Sequence, residues 1–278
     1  MDNSLRLKVR IESFTLEEPP FFLKNISFEL YRGEALALLG PSGSGKTTLL
    51  KVLDGLYKNY KGEILLDGQE IKFLSPREIY QKMGLLFQNP EEQLFAEKVF
   101  DDVAFGPRNM GWKEEEVKAS VKKALELVNL QGFEKRAIHK LSFGEKKRVA
   151  LAGLLAMGQE ILLLDEPTLG LDPFLEEAFL NLLINLKKRG YSIIMATHNI
   201  DLVPNFADKV LVLKNGEMAL FGELREILIK REDLKKFNLR APIMAELFFH
   251  LKANFPYLPL PLTLDEAFDI LSKHLKTE

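Results

Sequence analysis

The sequence contains no cysteine, which excludes disulfide bonds and metal sites built on thiolates. It also has no apolar run near the roughly 18 residues that a membrane-spanning helix requires; Val149 to Gly158 is among its longest apolar stretches. The first residues, MDNSLRLKVRIESF, carry charges throughout and lack the apolar core of a signal peptide. If the protein works at a membrane, we therefore expect a partner to hold it there.

A strong charge of either sign is missing as well. The net charge is -2 and the isoelectric point is about 6.2, so no global basic excess favours nucleic acid, although a local basic patch is compatible with these values. Hydrophobic residues make up 46% and charged residues 28% of the 278 positions. This is the composition of a globular protein that is long enough for one large domain with an appendage, or for two domains.

The hydrophobic pattern alternates between strands and helices. Leu5, Leu7, Val9 and Ile11 alternate with polar residues, which predicts an N-terminal strand. Buried strands are predicted from three apolar runs, namely Glu34 to Leu39, Ile161 to Leu164 and Ser192 to Ala196. The last two are typical of parallel strands covered on both faces. Helices are predicted at 46–56, 148–157 and 175–188, and a hairpin at 210–221. The order of these elements predicts an α/β domain.

Two other stretches read as helical. Residues from about 92 to 140 are charged, with apolar residues recurring at spacings of three and four, which predicts a helical insert. From Leu224 onward the chain again has helical spacing. There Thr263 and Glu266 predict a capping box, after a proline-rich link from Pro256 to Pro261.

A phosphate-binding loop follows the first buried strand. The segment fits G-x-x-x-x-G-K-[ST] and, with the residue after it, consists of Gly40, Pro41, Ser42, Gly43, Ser44, Gly45, Lys46, Thr47 and Thr48. Glycines allow backbone N–H groups to form an anion nest, and the helix that follows directs its positive end at phosphate. Lys46 supplies a point charge and Thr47 a magnesium ligand. The alternative, a glycine-rich turn with an exposed lysine, does not explain the flanking strand and helix.

Acidic residues and a histidine follow two of the other predicted strands. Asp165 and Glu166 come at the end of an apolar run, so we expect Asp165 to hold magnesium and Glu166 to polarise the attacking water as general base. His198 follows the strand that ends at Ala196, where open α/β sheets bind ligands. Alone, the acidic pair is weak evidence, because acidic turns at the ends of strands are common; after a phosphate loop it indicates nucleotide hydrolysis.

With these residues in place, the chain resembles the ATP-binding-cassette (ABC) ATPases. Gln88 is similar to the family's Q-loop glutamine, which contacts magnesium. Residues 141–145 (LSFGE) resemble its signature, in which Ser142 and Gly144 face the γ-phosphate held by a second subunit. Residues 169–172 resemble the D-loop, with Asp172, and His198 resembles the switch histidine. For the aromatic that stacks on adenine, Phe14 is the candidate, with Phe21 and Phe22 as competitors.

The resemblance implies a P-loop NTPase core with an N-terminal antiparallel β subdomain, an inserted helical subdomain and a small C-terminal helical domain. It places the nucleotide-binding domain at 1–223, with the insert at about 92–150, and the C-terminal domain at 224–278. It also implies ATP and Mg²⁺ as cofactors, with Glu166, His198 and Gln88 in catalysis and Thr47, Gln88 and Asp165 at the metal.

Within that family, residues 88–95 (QNPEEQLF), 102–107 (DVAFGP) and the tail 238–271 are similar to the ATPase components of energy-coupling factor transporters. These import vitamins or metal ions such as cobalt and nickel. The resemblance implies a second ATPase subunit, in a homodimer or a heterodimer, together with a transmembrane coupling subunit and a substrate-binding membrane subunit. It also implies that the protein is peripheral, at the cytoplasmic face of the cell membrane. It implies no nucleic-acid partner. The family uses the C-terminal domain for dimer contact; an unrelated helical appendage is the alternative.

Some features leave the interpretation open. Phe143 and Glu145 stand where the usual signature has glycine and glutamine, and we expect either a weakened composite site or no effect. An acidic surface, formed by Glu91, Glu92, Asp101 and Asp102, either receives a basic partner or is simply solvated. The rival classes are a soluble ABC protein acting on DNA or ribosomes, another ABC transporter class, and a small-molecule phosphoryl-transfer enzyme.

Overall fold

A computed structural model describes residues 4–18 and 21–275. Its strands are β1 (Leu5–Leu16), β2 (Phe21–Tyr31), β3 (Ala35–Leu39), β4 (Lys61–Leu66), β5 (Gln69–Glu70), β6 (Met83–Leu86), β7 (Ile161–Asp165), β8 (Ser192–Ala196), β9 (Lys209–Lys214) and β10 (Glu217–Glu223). Its helices are α1 (Lys46–Leu53), α2 (Pro76–Tyr80), α3 (Val99–Asn109), α4 (Glu114–Leu127), α5 (Phe143–Ala156), α6 (Pro173–Lys188), α7 (Leu224–Leu228), α8 (Arg231–Lys236), α9 (Ile243–Leu251) and α10 (Leu264–Leu275).

All strands join one sheet in the order β5-β4-β1-β2-β10-β9-β3-β8-β7-β6. Strands β9, β3, β8, β7 and β6 pair in parallel, whereas β2, β1, β4 and β5 form an antiparallel wing. Every residue of β3, β7 and β8 is buried, as expected for parallel strands covered on both faces. The α/β fold with an antiparallel N-terminal β region is confirmed.

The two faces of the sheet carry separate cores. Ala35, Ala37 and Leu39 of β3 belong to the core that also holds residues of α3, α4, α5 and α6. The alternate residues Leu36 and Leu38 belong to the core shared with α1 and the antiparallel wing. Successive side chains of a strand point to opposite faces, so β3 holds both layers together.

The predicted hairpin near the end of the sheet forms between β9 and β10. The turn residues Asn215 and Gly216 have φ values of 50° and 77°, the positive values that a tight hairpin turn requires. The Gly216 N–H donates to the Ser44 carbonyl at 2.9 Å. The hairpin turn therefore supports the phosphate loop directly.

Several predicted helix termini differ from the structure: α1 ends at Leu53 rather than at residue 56, and α6 begins at Pro173 rather than at residue 175. Helix α5 begins at Phe143, five residues before the predicted start, because Ser142 and Glu145 form a capping box at its N-terminus. The capping box predicted at Thr263 and Glu266 forms only in part. The Thr263 hydroxyl accepts from the Glu266 N–H at 3.2 Å, but the Glu266 carboxylate turns to the guanidinium of Arg225 at 2.7 Å.

The C-terminal helices pack both on the main core and on each other. Residues of α7, α8 and the start of α9, such as Ile227, Leu234 and Ala245, belong to the main core. A smaller cluster centres on Phe248, Leu258 and Ala267. The division of the chain at residue 223 stays a prediction. No helix in the described ranges has the length and apolar character needed to cross a membrane.

Candidate functional site

The carboxyl ends of the parallel strands bring the predicted residues together. Strand β3 leads into Gly40, β6 is followed by Gln88, β7 ends at Asp165, and β8 leads to His198. Because these strands are parallel, their carboxyl ends lie at one edge of the sheet, where open α/β sheets bind ligands. The cavity at that edge has a volume of about 490 Å³. It is lined by Leu16, Phe21, Ser42, Gly43, Ser44, Gly45, Lys46, Thr47, Thr48, Gln88, Asp165, Glu166, Leu169 and His198.

The loop between β3 and α1 needs glycine at its last position. Gly45 has a φ of 105°, in the region where a side chain is strained. A Cβ there would also lie 2.6 Å from Cζ of Phe21, so the Phe21 ring packs directly on the loop. Helix α1 starts at the next residue, and its free N–H groups suit an anion.

Lys46 is drawn back over the loop. Its Nζ donates to the carbonyl oxygens of Gly40 at 2.8 Å and Pro41 at 3.3 Å. Burial lowers the pKa of this ammonium, and the carboxylates of Glu166 and Asp165 oppose that shift. The lysine therefore places its charge beside the N-terminus of α1, where a polyphosphate would be neutralised.

Thr47 and Asp165 lie in direct contact. The Thr47 hydroxyl donates to Oδ2 of Asp165 at 2.7 Å. Burial raises the pKa of Asp165, while the hydrogen bond from Thr47 lowers it. Within the described ranges no group of three or more His, Cys, Asp or Glu side chains could hold a metal ion. The oxygens of Thr47, Asp165 and Gln88 nevertheless line one cavity and fit Mg²⁺, which in nucleotide sites takes one or two protein ligands along with phosphates and waters.

Glu166 and His198 form the second polar pair. Nδ1 of His198 lies 2.9 Å from Oε2 of Glu166, so the imidazole donates there when Nδ1 carries the proton. Glu166 has a φ of 46°, which is strained for a residue with a side chain. Its N–H donates to the Ala196 carbonyl at 3.0 Å, which anchors it to β8. A carboxylate held this way, beside a site for phosphate, has the geometry of a general base.

The structure contradicts the prediction that Phe14 stacks on adenine. The Phe14 side chain is only 1% exposed and packs against Tyr57 with ring centroids 5.5 Å apart. Phe22 is exposed but does not line the cavity. Of the three predicted aromatics, only Phe21 lines it, together with Leu16. The reason is a register shift in β1 between Ile11 and Ser13, which turns Phe14 into the core.

The signature residues lie outside this cavity. Ser142 and Gly144 sit at the start of α5, and the side chain of Asp172 caps α6 by accepting from the Leu175 N–H at 3.0 Å. Among the residues lining the cavity, none of the three occurs. Their predicted contact with ATP of a second subunit is compatible with this placement and stays a prediction.

Both unusual signature side chains are engaged within the chain. The Glu145 carboxylate accepts from the Ser142 N–H at 2.8 Å and lies 3.7 Å from Arg136, so its charge is partly balanced. The ring of Phe143 covers Gly170, where a Cβ would lie 3.1 Å from Cε1 of the ring. Gly170 has a φ of 80°. Glycine there thus accommodates the aromatic residue of the signature.

The acidic surface is less available than its sequence indicates. Asp102 accepts from two backbone N–H groups of the loop before α3, both at 2.9 Å, and burial raises its pKa. Glu91 pairs with Lys146 at 2.6 Å and Asp101 with Arg108 at 3.5 Å. Asp102 therefore stabilises the loop before α3, and the prediction that it receives a partner's basic group is not supported.

Sequence reasoning missed two residues near the site. Leu16 lines the cavity, and no motif marked it, whereas Leu169, which also lines the cavity, is the first residue of the segment that resembles the D-loop. Lys147 is buried behind the turn that carries Glu166, with its Nζ 2.8 Å from the Pro167 carbonyl. A lysine on the otherwise apolar face of α5 is the signal that marks it.

Comparison with known proteins agrees with this geometry. The family model described as "ABC transporter" matches residues 23–169. An ABC transporter ATP-binding protein of Geobacter sulfurreducens is 47% identical over 95% of both chains. The energy-coupling factor transporter ATP-binding protein EcfA of Methanocaldococcus jannaschii is 46% identical, over 84% of this chain and 85% of that protein. The structure of cbiO1 from Clostridium perfringens, described as part of the ABC transporter complex cbiONQ, has a TM-score of 0.76 and 37% identity, covering 88% of this chain and 99% of that chain.

Proposed function

The chain belongs to the ABC transporter family of ATP-binding ATPases, and on that premise we propose that it powers an energy-coupling factor transporter importing a vitamin or a transition-metal ion such as cobalt or nickel. The observation that carries ATP hydrolysis is the convergence of two polar pairs, Thr47 with Asp165 and Glu166 with His198, on the cavity beside the phosphate loop. The relatives named as energy-coupling factor ATPases support the transporter class.

Each residue takes a separate role in hydrolysis. The N–H groups of residues 42–48 and the Lys46 ammonium hold the phosphates. Thr47, Asp165 and Gln88 would hold Mg²⁺, which would supply positive charge to the phosphates. Glu166 accepts the proton of the attacking water, since its carboxylate faces the same cavity. His198 orients Glu166 through the 2.9 Å contact of its Nδ1, and its Nε2 donates toward the γ-phosphate when the imidazole carries a proton on both nitrogens.

We further propose that two ATPase subunits share each site. In this chain Ser142 and Gly144 lie outside the cavity, so they are free to close over ATP in a second subunit. ATP then holds the dimer closed, and hydrolysis lets it reopen. Exposed apolar side chains on the C-terminal helices support dimer contact there; these are Ile243, Leu247, Leu264 and Phe268.

The remaining partners follow from the transporter class. We propose a transmembrane coupling subunit and a substrate-binding membrane subunit, with this chain at the cytoplasmic face of the cell membrane as a peripheral protein. Glu92 is exposed, and Glu91 and Asp101 are exposed although they pair with Lys146 and Arg108; these three carboxylates support a contact with basic groups of the coupling subunit. The cargo is recognised by the substrate-binding subunit.

Co-purification with a membrane subunit tests this proposal. The tagged chain is purified from detergent-solubilised membranes, and its ATPase rate is measured with and without the integral membrane protein that accompanies it. We expect that protein to stimulate the ATPase, and we expect no stimulation of Lys46→Ala, which loses nucleotide affinity. Crosslinking to nucleic acid, with no stimulation by any membrane protein, would contradict the transporter proposal.

A further inference from the structure

A fully buried lysine holds the turn that carries Glu166. Lys147, on α5, is only 1% exposed. Its Nζ donates to the carbonyl oxygens of Pro167 and Leu169, both at 2.8 Å, and to that of Glu166 at 3.2 Å. An ammonium has three donors and no acceptor, so these three carbonyls satisfy it completely. Lysine is rarely buried without such partners.

The turn that Lys147 holds has strained backbone, and the aromatic ring of Phe143 packs beside it. Glu166 has a φ of 46° and Gly170 a φ of 80°, so the chain reverses its direction sharply over these five residues. Nζ of Lys147 lies 5.1 Å from the centroid of the Phe143 ring, within the range of a cation–π contact. Carbonyls on one side and an aromatic face on the other thus confine the ammonium.

Lys147 joins the signature segment to the turn that carries Glu166, in addition to the contact of the Phe143 ring with Gly170. Helix α5 has Ser142 at its N-cap, and Lys147 lies less than two turns further along it. Burial lowers the pKa of Lys147 to about 8, so the side chain remains mainly protonated near neutral pH and keeps all three donors. A strained conformation persists only where the surroundings impose it, and Lys147 supplies three charge-assisted hydrogen bonds to the carbonyls of the turn.

We propose that Lys147 is a positioning residue for hydrolysis: it fixes the Glu166–Leu169 turn so that the Glu166 carboxylate faces the cavity, and it ties that turn to the signature helix. Lys147 does not line the nucleotide cavity, so its effect on hydrolysis passes through the residues of the turn that it holds, chiefly Glu166. The inference rests on the proposed role of Glu166 as general base.

Two substitutions separate this role from simple packing. Lys147→Met keeps the length and apolar stem of the side chain but removes every donor. We expect kcat to fall about 10–100-fold, the effect of misplacing a catalytic group by about 1 Å, with KM and the Kd for ATP within about threefold of wild type. Lys147→Gln keeps an N–H donor on a shorter stem and is expected to recover part of kcat. The control is Lys146→Gln, the adjacent lysine, which pairs with Glu91 instead and is expected to leave kcat within about twofold.

A double-mutant cycle supplies the decisive readout. If Lys147 acts through Glu166, adding Lys147→Met to Glu166→Gln lowers the residual ATPase rate by less than about twofold, because residues that act as a unit are not additive. If Lys147→Met does not fold, the same cycle is run with Lys147→Gln. Equal, additive losses in both backgrounds, or a fall in ATP affinity that matches the fall in kcat, would overturn the proposal.

The cycle also keeps the two proposals distinguishable. A wild-type rate in Glu166→Gln alone would remove the general base, and with it the proposed mechanism. A strongly impaired Glu166→Gln together with a wild-type rate in Lys147→Met would overturn the role of Lys147 only.

Discussion

Replacing Phe21 by alanine is expected to weaken ATP binding while leaving the phosphate site intact. Phe21 is the one predicted aromatic that lines the cavity, and its ring rests on Gly45 and lies 6.2 Å from the Phe22 ring at an interplanar angle of 20°. Two neighbours thus fix the ring in place, and its remaining surface borders the cavity. A base stacked on that surface gains contact without ordering a mobile side chain.

The expected loss follows from that single stacking contact. Alanine substitution of a stacked aromatic costs about 1–3 kcal/mol per base. Leu16 also lines the cavity and would retain part of the contact, so we expect a value near the lower end, about 1.4 kcal/mol. This corresponds to a rise of about tenfold in the Kd for ATP. Inorganic tripolyphosphate has no base, so its Kd is expected to stay within about twofold.

Titration calorimetry with both ligands measures the two effects, and Phe14→Ala serves as the matched control. Phe14 is buried against Tyr57, so its truncation is expected to lower the free energy of unfolding by about 3–5 kcal/mol without changing the Kd for ATP of the folded protein. The reasoning is refuted if Phe21→Ala binds ATP as wild type does, or if it loses ATP and tripolyphosphate in equal measure.

Two further predictions concern individual polar side chains. Thr47→Ala removes the donor to Asp165 and a proposed Mg²⁺ ligand, so the Mg²⁺ concentration for half-maximal ATPase is expected to rise about 10–100-fold. Thr47→Ser keeps the hydroxyl and is expected to stay near wild type. An unchanged Mg²⁺ dependence in Thr47→Ala argues against Thr47 as a ligand. Burial raises the pKa of Asp54 to about 8, above its unfolded value of 3.8. Between these two values the native state binds more protons than the unfolded state, so the free energy of unfolding falls as pH rises, by up to about 1.4 kcal/mol per pH unit. Urea denaturation at pH 5 and pH 7 is expected to show this fall in wild type and not in Asp54→Asn, and an equal pH dependence in the two proteins contradicts it.

Much of the site was predictable because its motifs follow directly after buried strands. A strand's apolar run fixes where it ends, and parallel strands end at one edge, so Thr47, Asp165 and Glu166 could be brought together from sequence alone. The start of α5 was predicted too late, although Ser142 and Glu145 carry the S-x-x-E pattern of a capping box.

Other features depend on geometry that no local pattern encodes. Alternation along β1 describes which residues share a face, but a one-residue shift between Ile11 and Ser13 reverses the phase and buries Phe14. Lys147 stands in the charged run EKKR, which in sequence resembles a solvated helix face. Its spacing of three and four from Ala150 and Leu151 places it on the apolar face of α5, but only the packing of α5 against the Glu166 turn shows that its ammonium is enclosed.

The Glu166→Gln variant tests most directly that this chain is an ATPase whose Glu166 activates water. We expect it to bind ATP with a Kd within about threefold of wild type, to hydrolyse it about 10²–10⁴-fold more slowly, and to accumulate as a closed dimer in sedimentation velocity when ATP and Mg²⁺ are present. Wild-type turnover by Glu166→Gln, with no ATP-dependent dimer, would contradict the account.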